Sequence, residues 1–425
     1  MTTSLEPAEQ STSQSDSPKL RPRPLVCRAC HTQYDAAPTA ICENCLGPLD
    51  PVPNPDRVLP DAATIAARAP SLWRYKEWLP FDGEPTLSLD TGFTPLVEAP
   101  RIAARLGVAR AWIKNDSVSH PSLSFKDRVV ATAINAAAAF GLDTVGCAST
   151  GNLANAVAAH AARAGMKAWI FIPEDLEVGK VIGTQIYGPN LVRVRGHYDD
   201  VNRLCAQVAD HFGWGIVNVN LRGYYGEGSK TMAFEIAEQL GWRLPTAVVA
   251  PMAGGSLVTK LRKGFREFTE AGLVAGAAPR IYGAQAAGCS PIVNLVQSDG
   301  DQIEPVVPHT IARSIAIGNP ADGLFAKRAI VETGGWAAAV SEDALVQGIC
   351  TLAQEAGIFT ETAGGVTVSA AIQLAEQGRF LPTDEVVLCI TGNGLKTIEA
   401  VRPVLSDAPV IAPRLREVRA LVEGR

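Results

Sequence analysis

The chain has 425 residues, 47% hydrophobic and 19% charged, with 38 glycines and 29 prolines. That length predicts two or three packed units. A net charge of -5 argues against a polyanion partner such as nucleic acid, and no uninterrupted apolar run of about 18 residues exists to span a membrane.

In chain order, residues 1–24 are rich in Ser, Thr, Gln and Pro. They are predicted to be a disordered tail, and they match neither a secretory signal nor a transit peptide. The stretch "CRACHTQYDAAPTAICENC" follows. In it Cys27, Cys30, Cys42 and Cys45 form two CxxC pairs separated by eleven residues. Each pair makes a tight knuckle, and two facing knuckles can enclose one tetrahedral ion. Residues 25–50 are therefore predicted to be a zinc ribbon whose closed site is structural. A redox dithiol is the alternative. His31, next to Cys30, is not counted as a ligand. Cys147, Cys205, Cys289, Cys350 and Cys389 lie among apolar or small residues and read as buried thiols. With no secretory signal, a reducing cytoplasm is expected.

The Pro-rich stretch "LGPLDPVPNPDRVLPD" then leads into residues 51–87, a connector and N-terminal segment. Beyond it, short β-branched runs such as Thr246–Pro251 and Glu385–Ile390 alternate with Ala-rich helical stretches. That order predicts α/β units on a largely parallel sheet. No repeat of fixed period and no heptad pattern is present.

Within the α/β region, "SFKDR" (Ser124–Arg128) puts Lys126 at the head of an apolar helix. A lysine in that position usually lays its stem along apolar surface and keeps its ammonium in water. In an apolar pocket it instead loses charge and becomes a nucleophilic amine that condenses with an aldehyde. Three loops bear on the choice. Ser149, Thr150, Gly151 and Asn152 open an Ala-rich helix whose free N–H groups suit a carboxylate or phosphate. They suit an ordinary helix cap equally well. Gly254, Gly255 and Ser256 follow a buried strand, and small residues there let backbone N–H groups approach an anion. Thr391 ends another buried strand, where a hydroxyl can hydrogen-bond a ring nitrogen. Each loop alone is a common turn. Together with Lys126 they supply an amine, a phosphate cradle, a carboxylate site and a hydroxyl for a pyridine nitrogen, which are the parts pyridoxal phosphate needs.

At these residues the chain resembles the threonine synthases, pyridoxal-phosphate enzymes of fold type II. It is most similar to the bacterial branch with an N-terminal zinc ribbon, as in cyanobacteria. The segments that carry the resemblance include "SFKDR", "NVNLRGYYGEGSKTMAFEIAEQLGW" (Asn218–Trp242), "GIFTETAGGVTVSA" (Gly357–Ala370) and "ITGNGLKT" (Ile390–Thr397), whose lysine sets it apart from most dehydratases and sulfhydrylases of the fold. The resemblance implies two α/β lobes within residues 88–425, the smaller at about 120–243, in a cytoplasmic homodimer. It implies that Lys126 holds the cofactor as a Schiff base, that Asn152 bonds the phenolic oxygen, that Gly254, Gly255 and Ser256 bind the cofactor phosphate, and that Thr391 faces the pyridine nitrogen. Backbone N–H groups around Ser149 and Thr150 would meet the substrate carboxylate. The implied reaction turns O-phospho-L-homoserine and water into L-threonine and phosphate, the last step of threonine biosynthesis. Lys180, Arg222 and Lys230 are candidates for the substrate phosphate, chosen on charge alone. The chain departs from the family in reading "HPSL" (His120–Leu123) where many members have Asn-Pro-Thr-Gly, and its cofactor loop has fewer glycines. The nearest rival readings are a threonine or serine dehydratase and an O-phosphoserine-dependent synthase; a cofactor-free regulatory protein on the same fold is a third.

Overall fold

The computed structural model describes residues 20–298 and 300–423. Of the expected tail, residues 1–19 lie outside the described residues. The remainder is ordered: Arg21–Pro22 pairs antiparallel with Phe81–Asp82, Leu20 is buried, and Arg23 bonds Asp82 at 3.2 Å. A short apolar and charged anchor therefore fixes the chain ahead of the position where composition ended the tail.

The cysteine region folds as a three-stranded antiparallel sheet. Leu25–Cys27 is central, flanked by Gln33–Tyr34 and Leu49–Pro51. The connector then packs its aromatic residues down. Tyr75 and Trp78 meet Phe234 and Phe268, whose rings stack with centroids 4.3 Å apart. Burying each such ring contributes about 1.5–3 kcal/mol.

Two sheets make up the rest. The smaller has four parallel strands in the order Asn190–Val194, Lys167–Pro173, Thr144–Ala148, Gly215–Ile216. The larger has six, in the order Ala337–Val340, Arg280–Ala286, Ala247–Pro251, Glu385–Ile390, Arg110–Asn115, Leu96–Glu98; only the last runs antiparallel. The central strands Ala247–Pro251 and Glu385–Ile390 are buried at every position, as continuous apolar runs with helices on both faces must be. The small sheet falls inside the expected lobe at about 120–243, but the helix Lys230–Gln239 lies against Ser256–Glu270, a helix of the larger unit. In parallel α/β sheets ligands gather outside the carboxyl ends of the strands. Here the ends of Thr144–Ala148, Ala247–Pro251 and Glu385–Ile390 deliver the three small-residue loops to one place.

Candidate active site

Lys126 begins the helix Lys126–Ala139, and its neighbours pin that first turn. The Phe125 amide donates to the Thr391 carbonyl at 2.9 Å, and Ser124 bridges Gly392. Asp127 accepts from the Ser122 amide at 3.0 Å. Arg128 is fully buried. It bonds Asp116 through Nε at 2.6 Å and Glu235 through Nη2 at 2.7 Å, while Lys114 meets Glu235 at 2.6 Å. Two cations and two carboxylates thus anchor the turn from which Lys126 projects.

The Lys126 amine makes no hydrogen bond or ion pair with any described residue; it faces a cavity lined by Asn152, Gly254, Gly255, Ser256, Glu361 and Thr391 among others. Burial pushes this amine down to about 8, with the Glu361 carboxylate pulling it back up. A second cavity shares Lys126, Asn152, Gly254 and Ser256 and extends over Ser149 and Thr150 to Arg222 and Asp322. The expected cofactor residues therefore converge.

The loops differ in how they are built. Gly255 has φ +91, and a Cβ there would lie 3.0 Å from the Asp322 carbonyl oxygen. Only glycine fits this turn without strain, and it leads directly into the helix Ser256–Glu270. In the first loop the Ser149 hydroxyl accepts from the Gly151 and Ala154 amides at 2.9 and 2.8 Å, so its oxygen already caps the helix Asn152–Ala164. Asn152 is gripped at both ends. Its Nδ2 donates to Glu361 Oε1 at 2.7 Å, and its Oδ1 accepts from Lys396 Nζ at 3.1 Å. Burial pushes the Lys396 amine to about 8, opposed by Glu361 and Asp127.

Of the three residues chosen on charge, Arg222 alone lines the cavity, where it bonds Asp322 at 2.6 Å. Lys180 is buried behind the first loop and pairs with Glu177 at 3.2 Å; a Cβ on Gly151 would fall 2.2 Å from its Cδ. Lys230 lies elsewhere. Its ammonium meets Glu227 at 2.6 Å, Glu267 at 2.8 Å and the Trp78 carbonyl at 2.7 Å. Its Glu227 partner, three residues earlier, was a readable signal of an internal pair. Glu361, Tyr225, Ser229, Ser314 and Lys396 are the site residues that local pattern missed.

The fit to pyridoxal phosphate rests on unmet polar atoms. Among the described residues, Glu361 Oε2, Ser229 Oγ and Ser314 Oγ are buried without partners and the Thr391 hydroxyl makes no hydrogen bond. Buried polar groups are normally satisfied, so these orphans suit a polar ligand bearing a phosphate. In the ribbon the four Sγ atoms of Cys27, Cys30, Cys42 and Cys45 lie within 4.8 Å of one another, and none is in a disulfide. Tetrahedral thiolates on zinc stand about 3.8 Å apart, so this donor set fits that ion. Among the described residues no helix is long and apolar enough to cross a membrane.

The family profile "Pyridoxal-phosphate dependent enzyme" matches residues 87–392. Threonine synthase of Methanosarcina acetivorans is 32% identical over 409 residues, covering 94% of this chain and 99% of that protein. Threonine synthase of Methanocaldococcus jannaschii is 34% identical over 88% of this chain and 93% of its own length, and that of Synechocystis sp. 35% identical over 80% and 88%. Among solved structures, threonine deaminase isoform 2 from Solanum lycopersicum superposes with a TM-score of 0.61 at 21% identity, covering 74% of this chain and 84% of that one. Maize serine racemase gives 0.60 at 19% identity, covering 71% and 90%. At such identities the structural likeness speaks for the fold alone. The sequence relatives speak for more: this chain belongs to the threonine synthase family of pyridoxal-phosphate-dependent enzymes.

Proposed function

We propose that the chain converts O-phospho-L-homoserine and water into L-threonine and phosphate, with Lys126 as the catalytic amine. The observation that carries this is the unpaired Lys126 amine, set at about 8, at the meeting point of three loops and two connected cavities. Gly254, Gly255 and Ser256 would hold the cofactor phosphate on the N–H groups that open Ser256–Glu270. Asn152 would bond the phenolic oxygen through its second Nδ2 hydrogen, and the Thr391 hydroxyl would bond the ring nitrogen. Pyridoxal phosphate, when bound, withdraws electrons from the bonds at the substrate Cα. With substrate bound, the Lys126 amine would move protons at Cα and Cβ as base and acid. Backbone N–H groups beside Ser149 and Thr150 hold the substrate carboxylate. Thr391 is neutral and cannot balance a pyridinium, which disfavours transamination. The four cysteines hold one structural zinc.

The second cavity supports the substrate choice. Phosphate leaves from Cγ, so its binding site must lie one carbon further from Lys126 than an O-phosphoserine enzyme requires, and Arg222 lines that extension. Charge-assisted hydrogen bonds to a dianion are worth roughly 1.5–3 kcal/mol each, and losing two would cost about two to four powers of ten in rate. The test is kcat/KM for O-phospho-L-homoserine, O-phospho-L-serine, L-serine and L-threonine under one condition. Phosphate release from the first should dominate. Deamination of serine or threonine at an equal or higher rate would replace this reading with a dehydratase.

A further inference from the structure

Asp322 is shared by two arginines from different parts of the chain. Its Oδ2 accepts from Arg222 Nη2 at 2.6 Å, and its Oδ1 from Arg28 Nη1 at 3.0 Å. Arg222 lines the second cavity. Arg28 comes from the ribbon, between Cys27 and Cys30, and its guanidinium lies 3.9 Å above the Phe325 ring. The Asp322 backbone is held at both ends. Its amide donates to the Gly254 carbonyl at 3.0 Å, and its carbonyl accepts from the Ala326 amide at 2.8 Å. Its side chain is 4% exposed, against 29% for Arg222 and 18% for Arg28.

With Arg222 as its sole partner, Asp322 would offer both oxygens to one guanidinium, and the pair would be neutral. The second arginine takes Oδ1 and leaves the trio with one net positive charge. Asp50, 4.0 Å from Arg28 Nε, does not cancel it, because Asp50, Glu227 and Glu267 are already balanced by Lys230, Lys260 and Lys263 in one cluster. We propose that Arg28 is a positioning residue. By occupying Asp322 from the ribbon side, it leaves Arg222 with uncompensated charge to bind the phosphate of an anionic substrate. The proposal rests on the reading of the second cavity given above. It also gives the ribbon a part in substrate affinity while keeping it out of the chemistry.

Inorganic phosphate, the product anion, is the probe, titrated calorimetrically into cofactor-loaded, zinc-assayed protein. Restoring a neutral Arg222–Asp322 pair would cost about one charge-assisted hydrogen bond from Arg222 to the anion, weakening binding on the order of tenfold or more. Arg28→Gln should show that loss, together with a raised KM for the phosphorylated substrate at nearly constant kcat. Arg28→Lys should restore most of it. In an Arg222→Gln background, Arg28→Gln should change affinity by less than about twofold, because the coupled partner is gone. Asp322→Asn leaves the knuckle intact and serves if Arg28→Gln loses its metal or does not fold. With the neutralising carboxylate removed, phosphate should bind at least as tightly as in wild type. Weaker binding by Asp322→Asn, wild-type affinity in zinc-replete Arg28→Gln, or an undiminished Arg28 effect without Arg222 each overturns the proposal. The failures are distinguishable. If Arg222→Gln leaves phosphate affinity unchanged, the cavity reading falls and takes the proposal with it. If Arg222→Gln weakens binding and Arg28→Gln does not, the relay alone falls.

Discussion

Glu235→Gln should destabilise the protein by about 3 kcal/mol at pH 7, and the structure gives two routes to that figure. Glu235 has no exposed surface and accepts from Arg128, from Lys114 at 2.6 Å and from the Phe93 amide at 2.7 Å. Neutralising it leaves Arg128 and Lys114 facing Asp116 alone, and breaking a buried charge pair costs about 3–5 kcal/mol. Titration gives the second route. Burial raises the Glu235 carboxyl, but Arg128 and Lys114 outweigh it and hold the group at about 2, against an ordinary 4.5. A depressed carboxyl contributes stability that is present above the unfolded value and lost as pH falls through the folded one; a gap of this size is about 3 kcal/mol. The assay is guanidinium unfolding of wild type and Glu235→Gln from pH 7 down to pH 2, followed by tryptophan fluorescence. The difference should be full at pH 7 and narrow steadily below about pH 4.5. A gap below about 1 kcal/mol at pH 7, or one that ignores pH, would refute the argument that this network anchors the turn bearing Lys126.

Lys126→Ala should abolish turnover and the visible absorbance of bound cofactor; absorbance that survives, with cofactor fixed by borohydride, would place the attachment elsewhere. Cofactor uptake by cofactor-free protein needs the neutral amine, so its rate should rise with pH and level off above about 8. Glu361→Gln should move that midpoint lower, because the carboxylate raises the amine; stopped-flow absorbance reads both. Cys42→Ser should remove zinc, read by metal analysis, and lower thermal stability, while the protein that still folds keeps its kcat. Lys230→Met should cost stability and leave the KM for O-phospho-L-homoserine within about twofold, since its ammonium is spent on Glu227 and Glu267. A KM raised tenfold would return Lys230 to the substrate.

What the sequence made legible was whatever local chemistry encodes. Paired CxxC knuckles announce a four-thiolate cluster because the spacing itself builds the geometry, and the four Sγ atoms do converge. The three loops were readable because small residues after a buried apolar run have few other uses, and all three line the cavities. Glu361 and Lys396 carried no such local sign. Each sits in a segment singled out by family resemblance, yet its place beside Asn152 depends on strand order, which sets the loop after Glu385–Ile390 next to the lysine turn. Charge was the weakest guide. A lysine's sequence context does not say whether water or a carboxylate will meet it, and Lys180 and Lys230 both met carboxylates.

The ribbon shows the same limit on a larger scale. Its spacing declares a closed metal site, and a closed site suggests a module apart from the chemistry. In the structure the ribbon is tied to two of the helices that begin at the cavity wall. Asp50, on its third strand, holds Lys260 and Lys263 of Ser256–Glu270, the helix that opens at the Gly254–Gly255 turn. Arg28 holds Asp322, the residue before Gly323–Glu332. Burial holds these contacts more firmly than an exposed pair, because partial desolvation removes the screening that makes surface ion pairs weak. Losing the metal would therefore release two helix starts at once. A closed structural ion there would thus act on cofactor and phosphate binding through helix position, and those binding constants should report its loss while kcat holds.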